Sequence, residues 1–158
     1  MGYDIYIQTP DGKPVAGDEN YFRIGYFAMP RFLRTMNDCG MLTELPVPTG
    51  PTLSEHGLTV ENFEPGTQPD QATADRIAAF RAAYQAVMDA AEPKPRGIPS
   101  YKLQFNDGFL TTVAEIRAAM AAYDDHPHED LAASDDPMWR SWTAFLRRAQ
   151  THGGLRTY

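Results

Sequence analysis

A chain of 158 residues, 42% hydrophobic and 22% charged, has the size and balance of one globular domain with a substantial core. Its net charge of −7 argues against bulk electrostatic binding to nucleic acid or anionic lipid, and no apolar run approaches the roughly 18 residues that span a bilayer. The opening Met1-Gly2-Tyr3-Asp4 lacks the pattern of a secretory leader, and Cys39, the sole cysteine, has no intrachain disulfide partner, so a reducing, cytoplasmic setting is expected.

Tyr3, Ile5 and Ile7 alternate with Asp4, Tyr6 and Gln8, which predicts a strand. Thr9-Pro10-Asp11-Gly12 has turn chemistry, and Phe22 to Phe27 reads as a second strand. A short helix is expected from about Pro30 to Asp38, with Leu33 and Met36 inward and Gly40 as its stop. Seven aromatics fall within the first 32 residues, and the core beneath a sheet is their expected destination.

Residues 46–69 carry Pro46, Pro48, Pro51, Pro65 and Pro69, and predict an irregular Pro-rich excursion from a single domain, 1–158, with a brief strand at Leu58 to Phe63. A helix then starts at Asp70 or Thr73 and runs to Ala91 on a stripe of Ile77, Phe80, Tyr84, Val87 and Met88. After a linker over 92–99, Tyr101, Leu103 and Phe105 alternate with Lys102, Gln104 and Asn106, which reads as a third strand, and Asn106-Asp107-Gly108 turns the chain. Thr112 and Glu115 have capping-box spacing before a helix bearing Val113, Ile116, Met120 and Tyr123.

Asp136-Pro137 opens the last helix, with an apolar stripe of Met138, Trp139, Trp142, Phe145, Leu146 and Ala149 and with Arg147 and Arg148 near its C-terminus. Gly153 and Gly154 stop it, and Leu155 to Tyr158 runs on as a short strand. The expected fold is α+β: a small, mainly antiparallel sheet with about three principal helices packed on one face, and Trp139, Trp142 and Phe145 inward.

Met1-Gly2-Tyr3-Asp4-Ile5-Tyr6, the block from Tyr101 to Leu110, Trp139-Arg140-Ser141-Trp142 with Phe145-Leu146, and His152-Gly153-Gly154-Leu155-Arg156 resemble a group of actinobacterial and phage proteins. That group carries Asn-Asp-Gly-Trp where this chain has Asn106-Asp107-Gly108-Phe109. The resemblance covers both ends but not the Pro-rich middle. It implies a mobile-element setting and brings no catalytic residue with it.

Three groups of residues carry candidate chemistry. His126-Pro127-His128-Glu129-Asp130 has a metal-ligand spacing, and His126, His128 and Asp130 would serve a metal-dependent hydrolase. It resembles part of the metallo-β-lactamase motif but departs from it at Leu131, and the alternative is a polar loop between helices. Cys39, at a helix end, reads as a small buried hydrophobe rather than a nucleophile. The turns Asn106-Asp107-Gly108 and His152-Gly153-Gly154, with Arg156, would lie close if the last strand pairs near the third, and would then suit a small anionic or nucleotide ligand. The alternative is two ordinary turns.

With no convergent catalytic set and no cofactor motif, the preferred reading is a non-enzymatic binding protein. It would engage a protein partner, as an immunity or inhibitor protein does, through the Pro-rich segment and the acidic loop of Asp124, Asp125, Glu129, Asp130, Asp135 and Asp136. The sequestering protein and the hydrolase stay open as alternatives.

Overall fold

A computed structural model describes residues 2–127 and 135–158. The chain divides into two compact units, Met1–Pro46 with Ala91–Tyr158, and Val47–Ala90. No helix among the described residues is long and apolar enough to cross a membrane.

The first unit is α+β. Its strands β1 (Gly2–Ile7), β2 (Tyr21–Gly25), β5 (Leu110–Thr111) and β6 (Leu155–Thr157) form an antiparallel sheet in the order β2-β1-β6-β5. Ile5 sits opposite Phe22 on one side and Thr157 on the other, so the first and last strands of the chain pair at the middle of the sheet. Strands β3 (Leu42–Thr43) and β4 (Ile98–Pro99) form a separate parallel pair, which clips together the segments from which residues 47–90 depart and to which they return.

The alternation expected of β1 holds for Ile5 and Ile7, which are fully buried, but Gln8, expected on the polar face, is buried as well. Ile5 and Ile7 meet helices α1 (Met29–Asp38), α4 (Val113–Asp125) and α5 (Pro137–Ala149) in one core that includes Met36, Ile116 and Met120. Helix α5 starts as expected, with the Asp136 carboxylate accepting the Met138 N–H at 2.9 Å and Pro137 in the first turn. Its stripe buries Trp139, Trp142, Phe145, Leu146 and Ala149, and Trp142 lies 5.2 Å from Phe22 across to the sheet. Met138 departs from the expected stripe and is exposed, because it lies about 100° around the helix from Trp139. The Thr112–Glu115 capping box forms at the start of α4.

Three expected strands need correction. Residues 101–106 are not a strand: Tyr101–Gln104 is a single helical turn, α3, in which Tyr101, Lys102 and Leu103 are all buried. The alternation misled because it takes Lys102 as solvent-facing, whereas its ammonium has partners in the interior. Leu58 to Phe63 contains no strand either. Val60–Phe63 is a short 3-10 turn, fixed by Asn62, whose side-chain oxygen accepts the Thr59 N–H at 2.8 Å. The second strand ends at Gly25 rather than Phe27, because the Ala28 N–H turns back to the Gly25 carbonyl at 2.9 Å.

The second unit holds α2 (Gln71–Met88), capped by Asp70, whose carboxylate accepts the Thr73 N–H at 2.7 Å. Phe80 on α2 meets His56 and Phe63 edge-on at 5.6 and 5.9 Å, so the Pro-rich segment folds onto this helix. Tyr84, expected in the apolar stripe, is exposed.

Candidate functional site

The sheet register sets the two glycine-containing turns, expected to lie close, at opposite ends of the sheet: the 106–108 turn meets Gly2 and Thr157, and the 152–154 turn meets Gln8 and Thr111. Strand β6 pairs with β5 so that Arg156 lies opposite Leu110, and the Gly108 N–H donates to the Thr157 carbonyl at 3.0 Å. The Arg156 guanidinium turns inward along this junction, donating to the Gly108 carbonyl at 2.5 Å and to the Gln8 side-chain oxygen at 2.8 Å. Gln8 in turn accepts the Gly153 N–H on its own carbonyl at 2.6 Å. A His152 ring nitrogen lies 3.0 Å from the Arg148 carbonyl. Gly153 and Gly154 are pressed against backbone, since a Cβ on either would stand 2.3 Å from the carbonyl oxygen of Thr9 or Thr111 respectively. Arg156 thus lies between the two turns and is engaged along the sheet by Gly108 and Gln8.

Asn106 and Asp107 point to a different feature. The Asn106 amide donates to the Gly2 carbonyl at 3.2 Å. Both residues line a recess of about 190 Å³ with Gly2, Tyr3, Tyr26, Gln104 and Phe105. Tyr3 and Tyr26 lie parallel, with centroids 6.3 Å apart and planes within 4°, and Phe27 stands edge-on to Tyr26 at 5.5 Å. The turn that ends β2 lifts this shelf out of the fold: Phe27 is 94% exposed, Tyr26 54% and Phe105 42%. The core destination expected for the early aromatics therefore fails for Tyr26 and Phe27. Chemically the shelf offers apolar ring area, with amide and carboxylate groups on one side.

The acidic loop is partly neutralised within the chain. Asp124 makes a two-pronged ion pair with Arg147 at 2.5 and 3.2 Å, which holds the Arg147 guanidinium above its ordinary range. Asp136 caps α5 and lies 3.7 Å from Arg31. The Arg148 side chain donates to the Glu19 carbonyl. A ring nitrogen of His126 lies 3.0 Å from the Pro127 carbonyl, while His128, Glu129 and Asp130 lie outside the described residues. Among the described residues no group of three or more His, Cys, Asp or Glu side chains is placed to hold a metal ion.

Cys39 is buried at the end of α1, where burial, followed by the Asp38 charge, pushes its thiol up to about 11. The native protein at pH 8 is therefore expected to resist iodoacetamide and to react fully once unfolded in guanidinium. Fast alkylation of the native chain at Cys39 would contradict this placement.

The sequence reading missed one buried charged pair. Lys102 and Glu115 have side chains 1% and 0% exposed, with Nζ 2.8 and 3.1 Å from the two carboxylate oxygens. Lys102 also donates to the Leu110 carbonyl at 2.8 Å, and Glu115 accepts the Thr112 and Glu92 N–H groups. The pair thus joins α3, β5, α4 and the segment returning from residue 90. On the outer face of the sheet the Tyr21 hydroxyl donates to Asp4, and this bond to a carboxylate raises the Tyr21 phenol above its ordinary pKa. Comparison with protein-family models, curated proteins and solved structures gives no match.

Proposed function

We propose that the protein is a non-catalytic binding protein that engages a protein partner, and that the shelf of Tyr26, Phe27 and Phe105 is the contact. The observation that carries this reading is the 94% exposure of Phe27, edge-on to Tyr26 just beyond the end of β2. A phenylalanine side chain gains about 1.5–3 kcal/mol on burial, and aromatic residues are enriched where interfaces concentrate their energy. The shelf takes precedence over the acidic loop because Asp124 and Asp136 are already paired within the chain. It takes precedence over the Pro-rich segment because the large apolar side chains exposed there offer less ring area: Val60 is 72% exposed, and Phe63, edge-on to Phe80, 36%. The buried, high-pKa Cys39 suits a reducing compartment, and the sequence resemblance suggests a mobile-element setting.

The test compares wild-type protein with a Phe27→Ser variant, each immobilised and exposed to lysate of the source organism. A protein held by the wild type and reduced about tenfold or more on the variant is expected. Equal recovery on both would contradict the assignment of the shelf.

A further inference from the structure

We infer that β2 is a docking edge, to which an extended segment of the partner protein adds as a fifth antiparallel strand, with an acidic side chain against Arg23 and an apolar one against Phe27. This deepens the proposal that the aromatic shelf binds a protein. Asp4 exchanges both backbone hydrogen bonds with Tyr158, at 2.7 and 2.8 Å, and the Gln8 N–H reaches Gly154, so the even-numbered residues of β1 face β6. Its odd-numbered residues face β2, where Tyr3 pairs with Ile24 and Ile5 with Phe22. In an antiparallel ladder consecutive residues alternate in direction, so Tyr21, Arg23 and Gly25 turn their backbone groups outward.

Two of those groups are already engaged: the Tyr21 N–H meets Asp18, and the Gly25 carbonyl accepts from Ala28. The outward row then comprises the Tyr21 carbonyl, the Arg23 N–H and carbonyl, and the Gly25 N–H, centred on Arg23. Edge strands in native proteins are commonly blocked by bulges, prolines or covering loops. Here β2 holds no proline, its register with β1 runs without a bulge from Tyr21 to Gly25, and among the described residues it pairs with no second strand. The Arg23 side chain is 58% exposed and lies on the sheet face, 3.6 Å from Asp4.

Charge selects the occupant. In the register that uses all four outward groups, a second copy of this chain would set Arg23 directly against another Arg23, and like charges facing across strands destabilise the pair. An acidic residue at that position would instead give the guanidinium a second carboxylate. The net charge of −7 confines the segment to one such acid among neutral or basic neighbours. Tyr26 and Phe27 follow the edge immediately and supply the apolar anchor, as side-chain pockets do in other strand additions.

The experiment selects random twelve-residue peptides by display against the full chain, then measures binding of the selected peptides. Expected are alternating sequences with a single acid, whose affinity falls about tenfold or more on Phe27→Ser and on N-methylation of alternate amides, but not of the intervening ones. Arg23→Glu should switch the preference from an acidic to a basic residue. Peptides that need Phe27 but tolerate methylation at every amide would overturn the strand addition and leave the shelf standing. No enrichment, or peptides indifferent to Phe27→Ser, would overturn both. A concentration-dependent dimer that competes with the peptides would make a second copy the occupant and overturn the choice of partner.

Discussion

Replacing Lys102 with methionine is expected to destabilise the protein by about 3–5 kcal/mol, because it leaves the Glu115 carboxylate buried without its ammonium. Glu115 would retain only the N–H groups of Thr112 and Glu92. A Glu115→Gln change alone should be of similar size, since it leaves a buried ammonium without its counter-charge. The two together should lose less than the sum, by about 1–3 kcal/mol, because a neutral pair no longer carries an uncompensated charge. Urea unfolding of the four proteins measures this. Strict additivity, or a Lys102→Met variant within about 0.5 kcal/mol of wild type, would contradict the pair.

A Gly154→Ala substitution is expected to cost about 3–5 kcal/mol. Two penalties combine there: φ is +94°, a region that L side chains rarely occupy, and the new Cβ would stand 2.3 Å from the Thr111 carbonyl oxygen. That carbonyl belongs to β5, so relief by movement would pull β6 away from its partner strand. Gly12→Ala serves as the control. Its φ of +82° carries the same kind of backbone strain, but nothing lies within 4 Å of the added atom, so a loss of about 1–2 kcal/mol is expected. Equal losses at the two positions would mean that the close approach at Gly154 is not a structural constraint.

The elements legible in the sequence are those whose signal is local. Ile5 and Ile7 alternate with polar residues and are buried as expected, and Trp139, Trp142, Phe145 and Leu146 follow helical spacing into the core. The Thr112–Glu115 capping box was also readable, because its partners are three residues apart. Lys102 was not, because its burial depends on Glu115, thirteen positions away, and on a backbone carbonyl of β5. Local alternation treats any lysine as outward.

Tyr26 and Phe27 were misread for a related reason. They continue an aromatic run that looks like strand, but the turn of Ala28 onto Gly25 ends the pairing before them and leaves their rings outside. Of the candidate ligand residues, the sequence allowed the approach of Arg156 to the Gly108 turn. It carried no sign that Gln8, at the far end of the chain, would engage the same guanidinium.

If Phe27 anchors a protein interface, a benzophenone side chain installed at position 27 in the source organism should crosslink on illumination to one discrete partner. The same probe at Phe63 or Met138, which are also exposed, should not. A single adduct from position 27 alone is the expected result. No adduct from position 27, or the same adducts from all three positions, would contradict the assignment of the shelf as the binding surface.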